Sequence, residues 1–467
     1  MDKTTARQTE PDDGDSGLKR GLKSRHILMI SVGGTIGTGL FIGAGQVIHD
    51  AGSLGAVLAF IFGGLVMYLA LLCLAELAVA IPVTGSFQSY ANRFISEGVG
   101  FTVGWMYWIN WVVCIASNFT AAAMVMHLWF PDVPVWELCL CFMLLTGLLN
   151  SLSVKVYGET EFWFAGIKIL AIIAFILAGI GLMTGFAGHE GAIGFSNFVQ
   201  SGEKIFPHGY RYLFFSLIPV VFSFQGAELV GIAAGECEEP GKNIPRVMKG
   251  VAFRIVFFYV LAIVILGATI PVSQAGVLES PFAMVFSRTG IPVASTLMSV
   301  VVLTSALSAS NSALYVCSRM LWTMARAGQA PRWLGVVNKS GVPSRGMVIS
   351  LLFTGVSLLT SFYAVDTVYL WLVSGVGLTG CIAWIVISWC QIIFRRDYLK
   401  KGGDVRQLIF RTPGYPVLPV VSILLNILII ISLAFIREQR IVLYTGLPAL
   451  LLIYGGYYLF VRSPSGR

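Results

Sequence analysis

Ionisable side chains stand inside apolar stretches of this sequence, where a buried charge is costly and marks a candidate functional group. Lys168 lies about two turns into the stretch EFWFAGIKILAIIAFI, and Glu161 lies seven residues earlier on the same helical face. Because burial disfavours the charged form of an amine, a lysine in this setting is suited to taking up and releasing a proton. The alternative is a structural lysine paired with a buried carboxylate or with the carbonyl groups of a broken helix.

Six glycines fall within residues 31–45, which read SVGGTIGTGLFIGAG. Glycine costs a helix interior about 1 kcal/mol relative to alanine, so a regular helix is unfavourable here. A helix break at bilayer depth exposes N–H and C=O groups that lipid cannot satisfy, and they must face a ligand, an ion or buried protein. Close helix packing is the alternative, because Gly33/Gly37 and Gly39/Gly43 both fit the G-x-x-x-G spacing.

A second apolar stretch is also interrupted. Residues 211–236 read RYLFFSLIPVVFSFQGAELVGIAAGE and contain Pro219 and Gly226. Interrupted spans at corresponding positions of two halves of a chain indicate a transporter site between inverted repeats. The sequence therefore predicts two adjacent helix breaks, near Gly37–Gly39 and near Gln225–Gly226.

Carboxylates accompany the second interruption. Glu228 follows it directly and is suited to a gate or to a substrate-linked contact; alternatively, it hydrogen-bonds unwound backbone of the first span. Glu236, at the end of the stretch, is expected to be a solvated helix-end charge. Glu76, at the end of another apolar stretch, is expected to contact a loop.

Composition places these stretches in a membrane. The chain is 56% hydrophobic and 12% charged, which excludes an ordinary soluble protein. A membrane span needs roughly 20 apolar residues, and twelve such spans are predicted at about 27–48, 54–81, 99–128, 134–154, 161–185, 211–235, 251–271, 290–317, 345–363, 367–393, 414–436 and 441–461.

These spans predict an all-α protein with a single transmembrane domain at 21–467, preceded by a disordered cytoplasmic tail at 1–20 and lacking a signal peptide. The net charge of +8 indicates membrane topology rather than nucleic-acid binding, because Lys and Arg are enriched in cytoplasmic loops. Both termini are then cytoplasmic, and few of the 31 Lys and Arg residues fall outside: Lys204, Arg211, Arg288, Arg437 and Arg440.

Several motifs together resemble one family. LKSRHILMISVGGTIGTGLF, PVTGSFQSYA, FSFQGAELVGIAAGECEEPGKNIPR and LSASNSALYVCSRMLW are similar to the amino acid permeases of the amino acid–polyamine–organocation superfamily. YPVLP and LAFIREQRIVLYTGLP make the chain most similar to bacterial lysine, arginine and S-methylmethionine permeases. The resemblance implies the leucine-transporter fold, with inverted repeats of five helices each at about 27–185 and 211–393 and two extra helices at about 414–461.

The resemblance also implies a substrate site. Backbone N–H groups of Gly37, Thr38 and Gly39 would bind the amino acid carboxylate, which agrees with the preference of helix N-termini for anions. The substrate ammonium would bind to backbone carbonyl groups, those of Thr35, Ile36, Phe222, Phe224 and Gln225. The pocket for the substrate side chain would be lined by Val113, Cys114, Asn118, Asn311 and Ser374.

Lys168 matches the fifth-helix lysine of proton-coupled members of this family, so the resemblance implies proton symport rather than sodium symport. Glu228 is the second candidate for proton coupling. Phe222 stands where exchangers often have tryptophan, which argues against an aromatic gate of the exchanger type.

These observations predict a proton-coupled importer of a basic amino acid, such as lysine or arginine, in the bacterial cytoplasmic membrane. Its partners would be the amino acid, the proton and the lipid bilayer, with no nucleic acid, protein partner, cofactor or metal expected. The alternatives are a permease for a neutral amino acid or S-methylmethionine and, less favoured, a membrane sensor of amino acids. The sequence lacks a nucleophile–base pair and a P-loop, so neither an enzyme nor direct use of ATP is expected.

Overall fold

Helices dominate the structure because lipid offers no partner to backbone groups, which must therefore bond within their own segment. The computed structural model describes residues 22–188, 191–198, 206–276, 280–291, 293–358, 365–435 and 439–462. Its first half contains α1 (Ser24–Thr35), α2 (Thr38–Phe41), α3 (Gly43–Ala80), α4 (Ser86–Phe94), α5 (Glu97–His127), α6 (Val135–Ser151) and α7 (Val154–Thr184).

The second half continues in the same way and ends in a short π-helical turn. Its helices are α8 (Arg211–Phe215), α9 (Leu217–Phe224), α10 (Leu229–Ala233), α11 (Pro240–Thr269), α12 (Pro281–Arg288), α13 (Ala294–Arg326), α14 (Ser344–Leu358), α15 (Val365–Lys400), α16 (Val417–Ser432) and α17 (Arg440–Gly456).

Eight helical segments of the described chain are long and apolar enough to cross a membrane, and two shorter apolar helices, Val135–Ser151 and Val256–Thr269, accompany them. The protein is therefore all-helical and multi-pass over its described residues. Every predicted span overlaps helical structure. The count of twelve crossings, the inverted repeat and the domain bounds stay predictions, and the predicted tail at 1–20 lies outside the described residues.

Helix α3 holds the boundary between the first two predicted spans. Gly52 inside it adopts φ 78° and ψ 167°, a conformation that only glycine reaches easily. The chain therefore turns at Gly52 without leaving helical structure on either side. The short helices α4 and α12 were not predicted, because they are too short to show an apolar span.

The packing surrounds the two interrupted segments. Helix α1 packs on α7 and α13, and α9 packs on α3 and α15. Small residues permit this close approach, as expected for helices that pack in a membrane. At the other end of the sixth span, the backbone of Leu22 forms an isolated parallel bridge with that of Cys237.

Candidate functional site

The first predicted break lies between α1 and α2. Helix α1 ends at Thr35, and Ile36 and Gly37 link it to Thr38 in extended conformations. The freed carbonyl of Thr35 accepts a hydrogen bond from Tyr259 Oη at 2.9 Å, and that of Ile36 accepts one from Ser305 Oγ at 3.1 Å. Each carbonyl oxygen keeps a second lone pair for a ligand.

The second break lies between α9 and α10 and touches the first. Gly226 has φ 109°, and a Cβ atom there would lie 2.6 Å from the carbonyl oxygen of Gly34. Glycine is thus required both for the backbone conformation and for the close approach of α1. The Oγ atom of Ser31 also donates to the carbonyl of Ala227 at 3.2 Å. The predicted breaks and their adjacency are confirmed.

A small cavity lies where the two breaks meet. The described lining residues come from α1, α2, α5, α9, α13 and the links that follow α1 and α9: Gly34, Thr35, Gly37, Thr38, Gly39, Trp111, Cys114, Asn118, Phe222, Gln225 and Ala309.

Eight of the predicted binding residues therefore share this cavity. Two of them contact each other: Thr38 Oγ1 donates to Asn118 Oδ1 at 2.7 Å, which joins the start of α2 to α5. Gly39 packs so closely on α9 that a Cβ atom would lie 2.7 Å from Ser223 Cα.

Five predicted residues lie elsewhere. Phe224 packs on Tyr259, with ring centroids 4.9 Å apart. Val113 lines a separate apolar groove between α5, α15 and α17. Asn311 faces α6 and α7, while Ile36 and Ser374 are buried without lining the cavity. These positions follow from helix rotation and side-chain direction, which the resemblance to a family does not provide.

Trp111 is a lining residue that sequence reasoning missed. It lies one helical turn before Cys114 and two before Asn118. Residues with this spacing share one face of a helix. Helical periodicity from the two predicted residues would have placed Trp111 in the cavity.

Lys168 lies beside the first break and is buried. Its Nζ atom donates to the carbonyl of Gly33 at 2.5 Å, four residues before the cavity-lining Gly37. This hydrogen bond ties α7 to α1, the helix of the first predicted span.

Helix α13, which corresponds to the eighth predicted span, is contacted by Glu161 of α7. This carboxylate is fully buried and accepts hydrogen bonds from Ser308 Oγ at 2.6 Å and from Asn311 Nδ2 at 3.4 Å. It also lies so near Gly33 that a Cβ atom there would collide with it. Lys168 and Glu161 of α7 therefore both meet α1 at Gly33.

Glu228 is held by three donors. It accepts hydrogen bonds from Tyr107 Oη at 2.8 Å, from the Gly226 backbone at 3.1 Å and from Trp384 Nε1 at 3.4 Å. It thus binds the unwound backbone of its own span, which corrects the expectation of a bond to the first span. The carboxylate stabilises the break and joins it to α5 and α15.

Glu236 is fully buried, so its assignment as a solvated charge was wrong. It forms a two-point ion pair with Arg319 of α13 and accepts a hydrogen bond from Tyr315 Oη at 2.9 Å. Glu76 pairs similarly with Arg395 and also accepts from the backbone N–H of Thr412 at 2.6 Å. The predicted loop contact of Glu76 is thereby confirmed.

Apolar helices that break side by side around a small cavity define a membrane transporter. Comparison with known proteins agrees, because the family described as "Amino acid permease" matches residues 26–465. The chain belongs to the amino acid permease family. Permeases are transporters, so the protein is not an enzyme.

Individual relatives span nearly the whole chain. The amino-acid permease RocE of Bacillus subtilis (strain 168) is 46% identical over 458 residues, covering 97% of each chain. The putative histidine permease of the same organism is 46% identical over 444 residues, covering 94% of this chain and 93% of the relative. The lysine-specific permease LysP of Escherichia coli (strain K12) is 41% identical over 460 residues, covering 95% and 94%.

Proposed function

We propose that the protein imports an amino acid together with a proton across the bacterial cytoplasmic membrane. The observation that carries the proposal is the hydrogen bond from Lys168 to the carbonyl of Gly33, just before the break that lines the cavity. The amino acid carboxylate would meet backbone N–H groups of Gly37, Thr38 and Gly39. The ammonium would meet carbonyl groups at the same two breaks.

Proton coupling follows from what Lys168 contacts. A protonated Lys168 donates to Gly33 and ties α1 to α7, while a neutral one loses the charge that strengthens this bond. The titratable group beside it is Glu161 of the same helix, which meets Gly33 and Ser308. Proton release toward the cytoplasm would loosen α1, and the two states of this contact would favour different access states.

Orientation rests on the distribution of Lys and Arg. With both termini in the cytoplasm, the cytoplasmic side carries most of these residues, as the positive-inside rule requires. Inward proton flow would then accompany uptake.

The proposed substrate is a basic amino acid such as lysine or arginine. Lysine-specific permeases from two organisms are among the relatives, at 41% and 38% identity. A neutral amino acid or S-methylmethionine is the second candidate, since the relatives also include an L-asparagine permease of Streptomyces coelicolor at 37% identity.

Uptake by the purified protein in proteoliposomes tests the proposal. Labelled lysine and arginine should accumulate when the outside is made acidic and should only equilibrate without a pH gradient. Equal uptake under both conditions would contradict proton coupling. Binding without any uptake, detected as a ligand-dependent rise in melting temperature, would instead indicate a sensor.

A further inference from the structure

Gln225 has a buried polar side chain that forms no hydrogen bond with the backbone of the helix break. It is the first residue after α9, it lines the cavity, and only 4% of its surface is exposed. Neither Nε2 nor Oε1 of its carboxamide has a hydrogen-bond partner among the described residues. Burying a carboxamide without hydrogen-bond partners costs more free energy than burying an apolar side chain of similar size. A bound ligand is therefore the natural partner of this carboxamide.

Among the other polar side chains of the described lining, Trp111 Nε1 also lacks a partner, whereas the threonines and Asn118 have partners within the protein. Thr35 Oγ1 donates to the carbonyl of Ser31 at 2.6 Å, and Thr38 Oγ1 donates to Asn118. The nearby Glu228 carboxylate already accepts three hydrogen bonds. No Asp, Glu, Lys or Arg is among the described lining residues. Recognition of a ligand's polar end in this cavity therefore rests on neutral groups.

The position of Gln225 is fixed from two sides. Its backbone N–H donates to the carbonyls of Val221 at 3.0 Å and Phe222 at 3.2 Å. On the other side, a Cβ atom at Gly380 of α15 would lie 2.8 Å from Gln225 Nε2, so the missing side chain of Gly380 provides the space for the carboxamide. The carboxamide is thus held between α15 and the cavity.

We infer that Gln225 recognises the side-chain end of the transported amino acid, and that preferred substrates end in a nitrogen that donates hydrogen bonds. Oε1 accepts from an ammonium, guanidinium, imidazole or amide N–H group. An apolar side chain leaves the carboxamide unpaired, and sites built for hydrogen bonding reject such analogues strongly. The inference rests on the proposed amino acid transport but not on its coupling to protons.

Competition for uptake into proteoliposomes tests this inference. The probes are lysine, arginine, histidine and glutamine, compared with norleucine and methionine, which lack a nitrogen at the side-chain end. The wild-type protein should bind its best nitrogen-bearing substrate at least about tenfold more tightly than either apolar analogue. Gln225→Leu should bring this ratio near one, because affinity for the nitrogen-bearing substrate falls while that for norleucine is unchanged or rises.

Two further variants support the test. Gln391→Leu makes the same chemical change in α15, where Nε2 binds Glu76 at 3.1 Å, and it should leave the ratio unchanged. If Gln225→Leu does not fold, Gly380→Ala replaces it, because its Cβ atom displaces the carboxamide and should also lower the ratio.

An unchanged ratio in the folded Gln225 or Gly380 variant overturns the inference. Equal wild-type affinity for the best nitrogen-bearing substrate and for norleucine also overturns it, while the proposed transport function stands. If none of the six amino acids is taken up or competes, both proposals fail.

Discussion

Two buried cations of this protein are held in opposite ways. Arg319 meets the carboxylate of Glu236 at two points, and its guanidinium lies 3.5 Å from the ring centroid of Tyr315. Lys168 donates instead to a backbone carbonyl, while Glu161 bonds to neighbouring side chains of α13. An arginine keeps its charge under all conditions, whereas a buried lysine can lose its proton. The Glu236–Arg319 pair is therefore a permanent link between helices. The contact of Lys168 with Gly33 is a switchable link, because loss of the lysine proton weakens it.

The largest effect is expected at the permanent link. Glu236→Ala leaves Arg319 buried without its counter-charge, which should lower the free energy of unfolding by about 3–5 kcal/mol. Thermal unfolding of the purified protein measures this loss. Glu238→Ala, at an exposed neighbour, is the control and should change stability little. Equal stability of the two variants would show that the buried pair contributes nothing.

The next effect concerns the switchable link. Lys168→Met keeps most of the length of the side chain but removes its charge, so accumulation driven by a pH gradient should disappear. A gradient of one pH unit should give about tenfold accumulation in the wild type, assuming one proton per substrate, and none in the variant. Proteoliposome uptake with and without the gradient measures this.

Lys155, exposed on the same helix, provides the matched control. Lys155→Met should accumulate substrate as the wild type does. If Lys168→Met also does so, Lys168 is structural and Glu228 becomes the next candidate for coupling.

A smaller effect is expected for Glu161→Gln. The amide oxygen can still accept from Ser308, so the helices should stay together while the charge near Lys168 is lost. Substrate affinity should change less than about threefold, the size of a weak uncharged contact. Gradient-driven accumulation should fall clearly below that of the wild type. Wild-type accumulation in this variant would limit proton coupling to Lys168 alone.

The smallest effect returns to the permanent link. Tyr315→Phe removes the hydroxyl that donates to Glu236 but keeps the ion pair and the ring beneath Arg319. The free energy of unfolding should fall by about 1.5–3 kcal/mol, the value of a hydrogen bond to a charged group. A loss as large as that of Glu236→Ala would mean that the hydroxyl, rather than the ion pair, holds these helices together.

Local signals in the sequence predicted the helix breaks well. Clustered glycines and the Gln225–Gly226 pair act within a few residues, and the structure breaks both helices there. The partners of buried charges could not be found in this way. Arg319 is 83 residues from Glu236, and Arg395 is 319 residues from Glu76, so only the packing of whole helices brings them together.

The same limit explains why only some of the predicted binding residues line the cavity. Most predicted residues of the broken helices line the cavity because the breaks themselves form its wall, whereas Ile36 and Phe224 lie outside it. On regular helices, the face that a residue occupies decides the result, so Cys114 lines the cavity and its neighbour Val113 does not.

The backbone bridge at Leu22 connects the segment before α1 to the end of the second broken helix. Leu22 N–H donates to the carbonyl of Glu236 at 3.2 Å, and Glu238 N–H donates back to Leu22 at 3.0 Å. Glu236 is also the residue that pairs with Arg319. A tether, affinity tag or truncation that pulls on Leu22 therefore acts directly on the end of the second broken helix.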